Sequence, residues 1–207
     1  MKCFIFDFET FGQNVHTCPV INCSYTIFDW GRFTDPEPLK FEDILPNIET
    51  VKLSIDKQKE MGYVIERDSV EWWMAKPSEV KRQALPSKDD VDVEQFIRGL
   101  INYIGQIKID RWWSRSNTFD PIILWRLAKD VRLDIDINTI LPFWKVRDIR
   151  TYIDAKFDFR VVKNTFCPID DEGKWDQMFQ EHNSAHDVAA DILRLQRIVR
   201  AENDLNQ

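Results

Sequence analysis

CFIFDFE, residues 3–9, interleaves three phenylalanines, Phe4, Phe6 and Phe8, with Ile5, Asp7 and Glu9. On a β-strand, side chains two apart share a face, so Asp7 and Glu9 project together while the phenylalanines point to the other side. Two acids on a Phe-rich, central strand are costly unless a cation neutralises them, and a metal ion is the natural partner. These residues alone leave a plainer reading open, with Glu9 at the strand's exposed end and Asp7 capping a turn.

Outward from this strand, GQNVHTCP (12–19) reads as a turn and VINCSYTIFDW (20–30) as a second strand. Either PEPLKF (36–41) or TVKLSI (50–55) supplies a third. SVEWWMAK (69–76) and PSEVKRQAL (77–85) predict short helices, the second opened by Pro77. The clearest helix is VDVEQFIRGLINYIGQI (91–107), where Val93, Phe96, Ile97, Leu100, Ile101 and Ile104 recur at three and four residues. RWWSRS (111–116) predicts a buried strand, TFDPIILWRLAKDV (118–131) a helix, PFWKV (142–146) a short strand and RDIRTYIDAKF (147–157) a helix. Residues 162–177 read as the longest loop, and a last helix runs from about Ala185 towards Ala201. Strands first, then alternating helices and strands, predict an α/β fold with a central mixed five-stranded sheet flanked by helices.

Length and composition narrow the function. At 207 residues, with 43% hydrophobic and 30% charged, the chain is expected to form one compact domain over 1–207. A net charge of −7 argues against a general nucleic-acid coating protein, whose affinity would come from many Lys and Arg releasing counterions. It leaves room for an enzyme whose metals supply positive charge locally. No apolar run approaches the ~20 residues that span a bilayer, and Asp7 and Glu9 interrupt the only stretch resembling a secretory signal, so a cytoplasmic protein is expected. Cys3, Cys18, Cys23 and Cys167 form no CxxC pair and read as reduced, small hydrophobic residues.

Three further residues extend the acid pair. Asp120 lies just inside a predicted helix, where the macrodipole favours an anion whatever the function, yet the preceding strand delivers Ser116, Asn117 and Asp120 to the sheet end where sites collect. His182 and Asp187 are five apart, a spacing that does not align them on one helix face. A helix starting near Ser184 leaves His182 on the loop and Asp187 in the first turn, so both can converge. Ser184 and Asp187 also fit a capping box, which would stabilise the helix by ~1 kcal/mol without any chemistry. His186 is the rival histidine, turned away from Asp187 by its helical position. Hard oxygen ligands suit Mg²⁺ or Mn²⁺, and an imidazole beside them can take a proton from water.

The D-x-E of Asp7 and Glu9, the single middle Asp120, and H-x₄-D from His182 to Asp187 occur in the order that resembles the DEDD superfamily of 3′–5′ exonucleases, in its H-x₄-D branch. WWSRSNTFDPIIL (112–124) and the double Trp of VEWWMAKPSEVKRQAL (70–85) are similar to the T-even phage exonuclease A group and its bacterial exoribonuclease relatives. Where many relatives carry Ala two residues after the histidine, Ser184 stands here. The resemblance implies a ribonuclease H-like fold and two divalent metal ions, Mg²⁺ or Mn²⁺. By it, Asp7, Glu9 and Asp187 bind the first ion, Asp7 bridges to the second, Asp120 completes the second site, and His182 deprotonates the attacking water. The implied substrate is single-stranded nucleic acid, DNA preferred and RNA possible, cut from its 3′ end into nucleoside 5′-monophosphates.

Substrate contacts are expected at Thr10 and Phe11, which follow the acid pair, at Asn117, and at Trp73. Base stacking is worth roughly 1–3 kcal/mol and tolerates any base. Trp72 and Trp73 face different ways on a helix, so one at most stacks while the other packs, and at least one of Trp112 and Trp113 belongs to the core. The modest basic excess of Lys145, Arg147, Arg150, Lys156, Arg160 and Lys163 fits either a phosphate track or a solvated face. The alternatives are an exoribonuclease, a catalytically silent nucleic-acid-binding module, and a small-nucleotide hydrolase with a closed pocket.

Overall fold

The computed structural model describes residues 1–132, 136–156 and 178–205. The acid-bearing segment is strand β1 (Lys2–Thr10), antiparallel to β2 (Val20–Asp29), with Asp7 opposite Ser24 and Glu9 opposite Asn22. A register shift follows Glu9, so the strand turns away just beyond the second acid. In the turn that follows, the Glu66 carboxylate accepts hydrogen bonds from the backbone N–H groups of Gln13 and Asn14.

After β2 come helix α1 (Phe41–Ile44) and strand β3 (Glu49–Lys52), which pairs with β2. PEPLKF is no strand: Pro36 and Pro38 lack the N–H that a ladder needs. The backbone of Leu39 is instead paired on both sides by the Gln196 amide, at 2.8 and 2.9 Å. Helices α2 (Ile55–Glu60), α3 (Arg67–Met74), α4 (Ser78–Ala84) and α5 (Val93–Gly105) follow. Asp92 and Gln95 form a capping box at the start of α5, and all six residues of its predicted stripe are buried.

Strand β4 (Arg111–Ser114) lies parallel to β1, helix α6 spans Asp120–Asp130, and β5 (Val146–Asp148) pairs parallel with β4. The sequence placed this last strand at 142–146. Phe143–Lys145 forms a 3₁₀ turn instead, closed by Lys145 N–H donating to Pro142 O, and pairing begins only at Val146. Helices α7 (Ile149–Lys156) and α8 (Ser184–Leu205) complete the order, α8 running beyond the expected end at Ala201. The expected loop over 162–177 lies outside the described residues.

The sheet order is β3-β2-β1-β4-β5, mixed and five-stranded as the sequence predicts. The two faces of β1 feed two cores. Phe4, Phe6 and Phe8 pack with α5 and α6, together with Trp112. Cys3 and Ile5 pack with α7 and α8, together with Trp113, so both members of that tryptophan pair are core. Asp7 and Glu9 continue the row of Cys3 and Ile5 and emerge where the apolar packing against α8 ends. Cys3, Cys18 and Cys23 are buried free thiols.

Helix α8 is held to β2 by a polar contact inside this second layer. The fully buried Ser184 hydroxyl lies 2.7 Å from Asn22 Oδ1 and 2.6 Å from Ser24 Oγ. Ser184 therefore caps nothing, and the S-x-x-D box does not form. Asn183 caps the helix, its Oδ1 accepting from the N–H groups of Ala185 and His186. Replacing Ser184 by Ala strips a partner from two buried polar groups. The expected loss is about 1–3 kcal/mol in urea unfolding, with unchanged far-UV circular dichroism.

Candidate active site

Three carboxylates meet at the end of β1. One oxygen each from Asp7, Glu9 and Asp187 lies within 4.8 Å of the others. Strand periodicity aligns the first two, and the first turn of α8 brings the third across from 178 residues or more away in sequence. Asp120 stands beside this group at the first position of α6, buried, its Oδ1 accepting from Phe8 N–H at 3.3 Å. Asp120 thus grips the strand between the two acids.

The electrostatics of the group are those of like charges withdrawn from water. Burial, then the charges of Asp120, Glu9, Asp187 and Asp191, hold the Asp7 carboxyl well above the usual carboxylate range. Burial and then Asp187 and Asp120 do the same to Glu9, with Lys76 opposing. Asp120 is pushed up to about 7 by burial, against the Phe8 N–H and its own N–H. Asp187 is also pushed up to about 7, by burial and then Asp191, with Arg194, Arg115 and the His182 N–H opposing. Partly buried carboxylate oxygens that repel one another at this spacing fit a hard divalent cation such as Mg²⁺ or Mn²⁺.

His182 sits beside the group on the loop before α8, as its spacing predicts. Its backbone has a φ of +66°, the left-handed region that costs a non-glycine residue of order 1 kcal/mol. That conformation aims the His182 N–H at Asp187 Oδ2, 3.1 Å away. The imidazole packs edge-on against Trp72, with ring centres 4.6 Å apart, and its Nε2 lies 3.7 Å from Glu181. Burial and then the Lys76 charge lower its pKa, which favours a neutral ring able to accept a proton. His186 is diverted elsewhere: its Nδ1 accepts from Gln180 N–H and its ring packs on Phe41.

Two adjoining clefts share Phe8 and Glu9. One, of about 600 Å³, holds Asp7, Asp187, His182 and Arg115. The other, of about 410 Å³, runs past Thr10, Gly12, Gln13 and Trp72. Thr10 lines this second cleft, its hydroxyl donating to Gly12 O at 2.7 Å. Trp73 also borders this cleft, but it and Phe11 are both buried. Both pack against Ile21, Val80 and Ala84, and the Trp73 indole N–H donates to Thr10 O at 3.0 Å. Trp72 is the exposed member of the pair at 42%, with Lys76 Nζ 3.6 Å from its ring centre. Asn117 lines neither cleft; its backbone N–H donates to Asp148.

The sequence reading passed over Arg115, Asp191 and Arg194. Arg115 and Arg194 both pair with Asp191 Oδ1, directly behind Asp187. Asp191 is one helical turn beyond Asp187, so its place on the same face was a usable signal. Its partner Arg115, one residue beyond β4, carries none.

Residues 2–192 match the family of 3′–5′ exoribonuclease Rv2179c-like domains. The chain is 32% identical over 211 residues to the exodeoxyribonuclease of Enterobacteria phage T4, covering 95% of this chain and 88% of the phage protein. Among solved structures it is similar to E. coli exonuclease I in complex with a dT13 oligonucleotide, with a TM-score of 0.54, 14% identity, and coverage of 97% of this chain and 40% of that one. It is also similar to S. pombe Pop2p in a Mg²⁺- and Mn²⁺-bound form, with a TM-score of 0.54, 16% identity, and coverage of 95% and 81%. The chain thus spans about two fifths of the length of exonuclease I, and at these identities the structural likeness establishes the ribonuclease H-like fold. Fold, acid cluster and relatives together define a 3′–5′ exonuclease, an enzyme of nucleic-acid phosphodiesters. Within that class, the chain belongs to the Rv2179c-like 3′–5′ exoribonuclease domain family.

The raised carboxyls set the sign of a pH effect on the metal-free protein. Asp120 and Asp187, at about 7 when folded, hold protons that the unfolded chain has released. Stability therefore rises as pH falls from 8 towards 6.5, by roughly 1 kcal/mol per carboxyl, and is lost again as pH rises through 7. Below about 6.5, the lowered pKa values of His182 and His186 work in the opposite direction. Melting in EDTA is expected at higher temperature at pH 6.5 than at pH 8, and millimolar Mg²⁺ is expected to remove most of that difference.

Proposed function

We propose that residues 1–207 act as one exonuclease domain that hydrolyses single-stranded DNA from the 3′ end, releasing nucleoside 5′-monophosphates. The observation that carries this is the meeting of Asp7, Glu9 and Asp187 within 4.8 Å, with His182 anchored to the same Asp187. Support for DNA comes from the phage T4 exodeoxyribonuclease, which matches along 88% of its own length. The fold shared with an exonuclease I bound to dT13 is consistent with it.

Asp7, Glu9 and Asp187 would hold one divalent ion, Asp7 would bridge to a second, and Asp120 would complete the second site directly or through water. Two bound Mg²⁺ or Mn²⁺ ions would supply the positive charge that stabilises the attacking and leaving oxygens of an in-line displacement. His182 takes the proton of the attacking water at its imidazole. Its lowered pKa keeps the ring neutral before the reaction, and the Trp72 ring restricts its swing. Asp187 connects the two halves of the site, since its backbone contact to His182 and its carboxylate beside Asp7 are made by one side chain. The cleft past Thr10 receives the terminal nucleotide, with Trp72 rather than Trp73 as its exposed aromatic wall.

An RNA substrate is the second reading, favoured by the exoribonuclease description of the matching family. Discrimination would rest on how Glu9 and the Thr10 backbone meet a 2′-OH at the end of β1. Matched 5′-labelled DNA and RNA oligonucleotides, incubated with Mg²⁺ or with EDTA, separate the two. A metal-dependent ladder shortening from the 3′ end is expected, faster on DNA. His182→Ala is expected to slow it about 10²- to 10⁴-fold and Asp7→Asn to abolish it. Intact DNA and RNA in both Mg²⁺ and Mn²⁺ would overturn the assignment.

A further inference from the structure

The lining of the larger cleft includes two arginines that reach it from different elements, Arg115 and Arg150. Asp191 is buried and already has a partner on its own helix, Arg194, three residues on and 3% exposed at its side chain. Arg115 from the end of β4 adds a second guanidinium to the same Asp191 oxygen, with its side chain 20% exposed. Arg115 lines the cleft beside Asp7, Glu9 and Asp187. Its Nη1 is held by Asp191, so the guanidinium is fixed in direction while its remaining donors are left for something else.

Arg150, on the first turn of α7, lines the same cleft. It is exposed and makes no hydrogen bond or ion pair among the described residues. Its charge is felt at Asp120, where it opposes the upward push on that carboxyl. The two arginines therefore line the cleft of the acid cluster from the end of β4 and from α7, while His182 lines it from the loop before α8.

We infer that Arg115 and Arg150 form a phosphate-binding pair that holds the backbone of the substrate strand against the acid cluster, with Arg115 aimed by Asp191. The chemistry fits: a guanidinium offers a planar fork to non-bridging phosphate oxygens, and each nucleotide brings one phosphodiester anion. Asp191 is on this view a positioning residue. The inference rests on the exonuclease reading.

Binding tests it apart from turnover. The probe is a 5′-labelled single-stranded oligonucleotide with phosphorothioate terminal linkages, which keep their charge and resist hydrolysis, titrated in Mg²⁺ over a range of salt concentrations. Each single-strand phosphate contact contributes about 0.7 to the slope of log affinity against log salt. Arg115→Met and Arg150→Met are each expected to weaken binding about tenfold at low salt and to lower that slope by about 0.7, with the double variant lowering it by about 1.4. Arg115→Lys keeps the charge without the fork and is expected to retain the slope with intermediate affinity. If Arg115 serves only as a counterion for Asp191, Arg115→Met will melt earlier with an unchanged slope, which overturns the inference. Should Arg115→Met fail to fold, the exposed Arg150→Met decides alone: an unchanged slope rejects the pair. A wild type that digests nucleic acid while the variants keep its slope rejects the phosphate role only. A wild type that neither binds nor digests rejects the exonuclease reading and this inference with it.

Discussion

Repulsion among carboxylates gathered at one end of β1 is the constraint around which the molecule is arranged. Asp7, Glu9 and Asp187 meet within 4.8 Å, and Asp120 and Asp191 stand close enough to push their protons on further. Such a group persists only where surrounding elements hold it, because each acid alone gains by moving apart or towards water. The holding is done with backbone donors and paired cations: Phe8 N–H on Asp120, His182 N–H on Asp187, and Arg115 and Arg194 on Asp191. These contacts reach the strand, the loop before α8 and the end of β4, so one electrostatic problem connects most of the central sheet to its helices.

Helix α8 carries the largest share of that arrangement. Its first residue, Ser184, is bonded to Asn22 and Ser24 on β2, the strand paired with β1 opposite the acids. With Ser184 committed inward, capping passes to Asn183, and the chain before it turns through a left-handed His182. That sequence of local events places the imidazole beside the carboxylates while the helix itself runs on through the core. His186, one turn away in the wrong direction, is absorbed by Phe41 and the Gln180 backbone.

The aromatic residues divide between the core and the cleft by a similar geometric necessity. Consecutive residues on a helix point about 100° apart, so α3 buries Trp73 and exposes Trp72. Trp73 secures Thr10 through its indole N–H, and Trp72 faces His182 and Lys76. Phe11 follows Trp73 into the same small apolar cluster, since the register shift after Glu9 turns the chain inwards there. The result is two adjoining clefts that share Phe8 and Glu9, one with Trp72 as its exposed aromatic wall and one lined by Arg115 and Arg150.

Residue order by itself determined whatever depends on neighbours a few positions apart. The alternation in CFIFDFE placed two acids on one face, the three- and four-residue recurrence from Val93 to Ile104 defined α5, and the five-residue spacing put His182 on the loop and Asp187 in the first turn. The tertiary structure decided what depends on partners far along the chain: Arg115 on Asp191, Ser184 on β2 in place of a helix cap, the burial of Trp73 and Phe11, and Gln196 in place of a strand partner for Leu39. Periodicity is a local property and survives in the sequence, whereas a side chain with two possible partners is committed only when packing brings one of them within hydrogen-bonding distance.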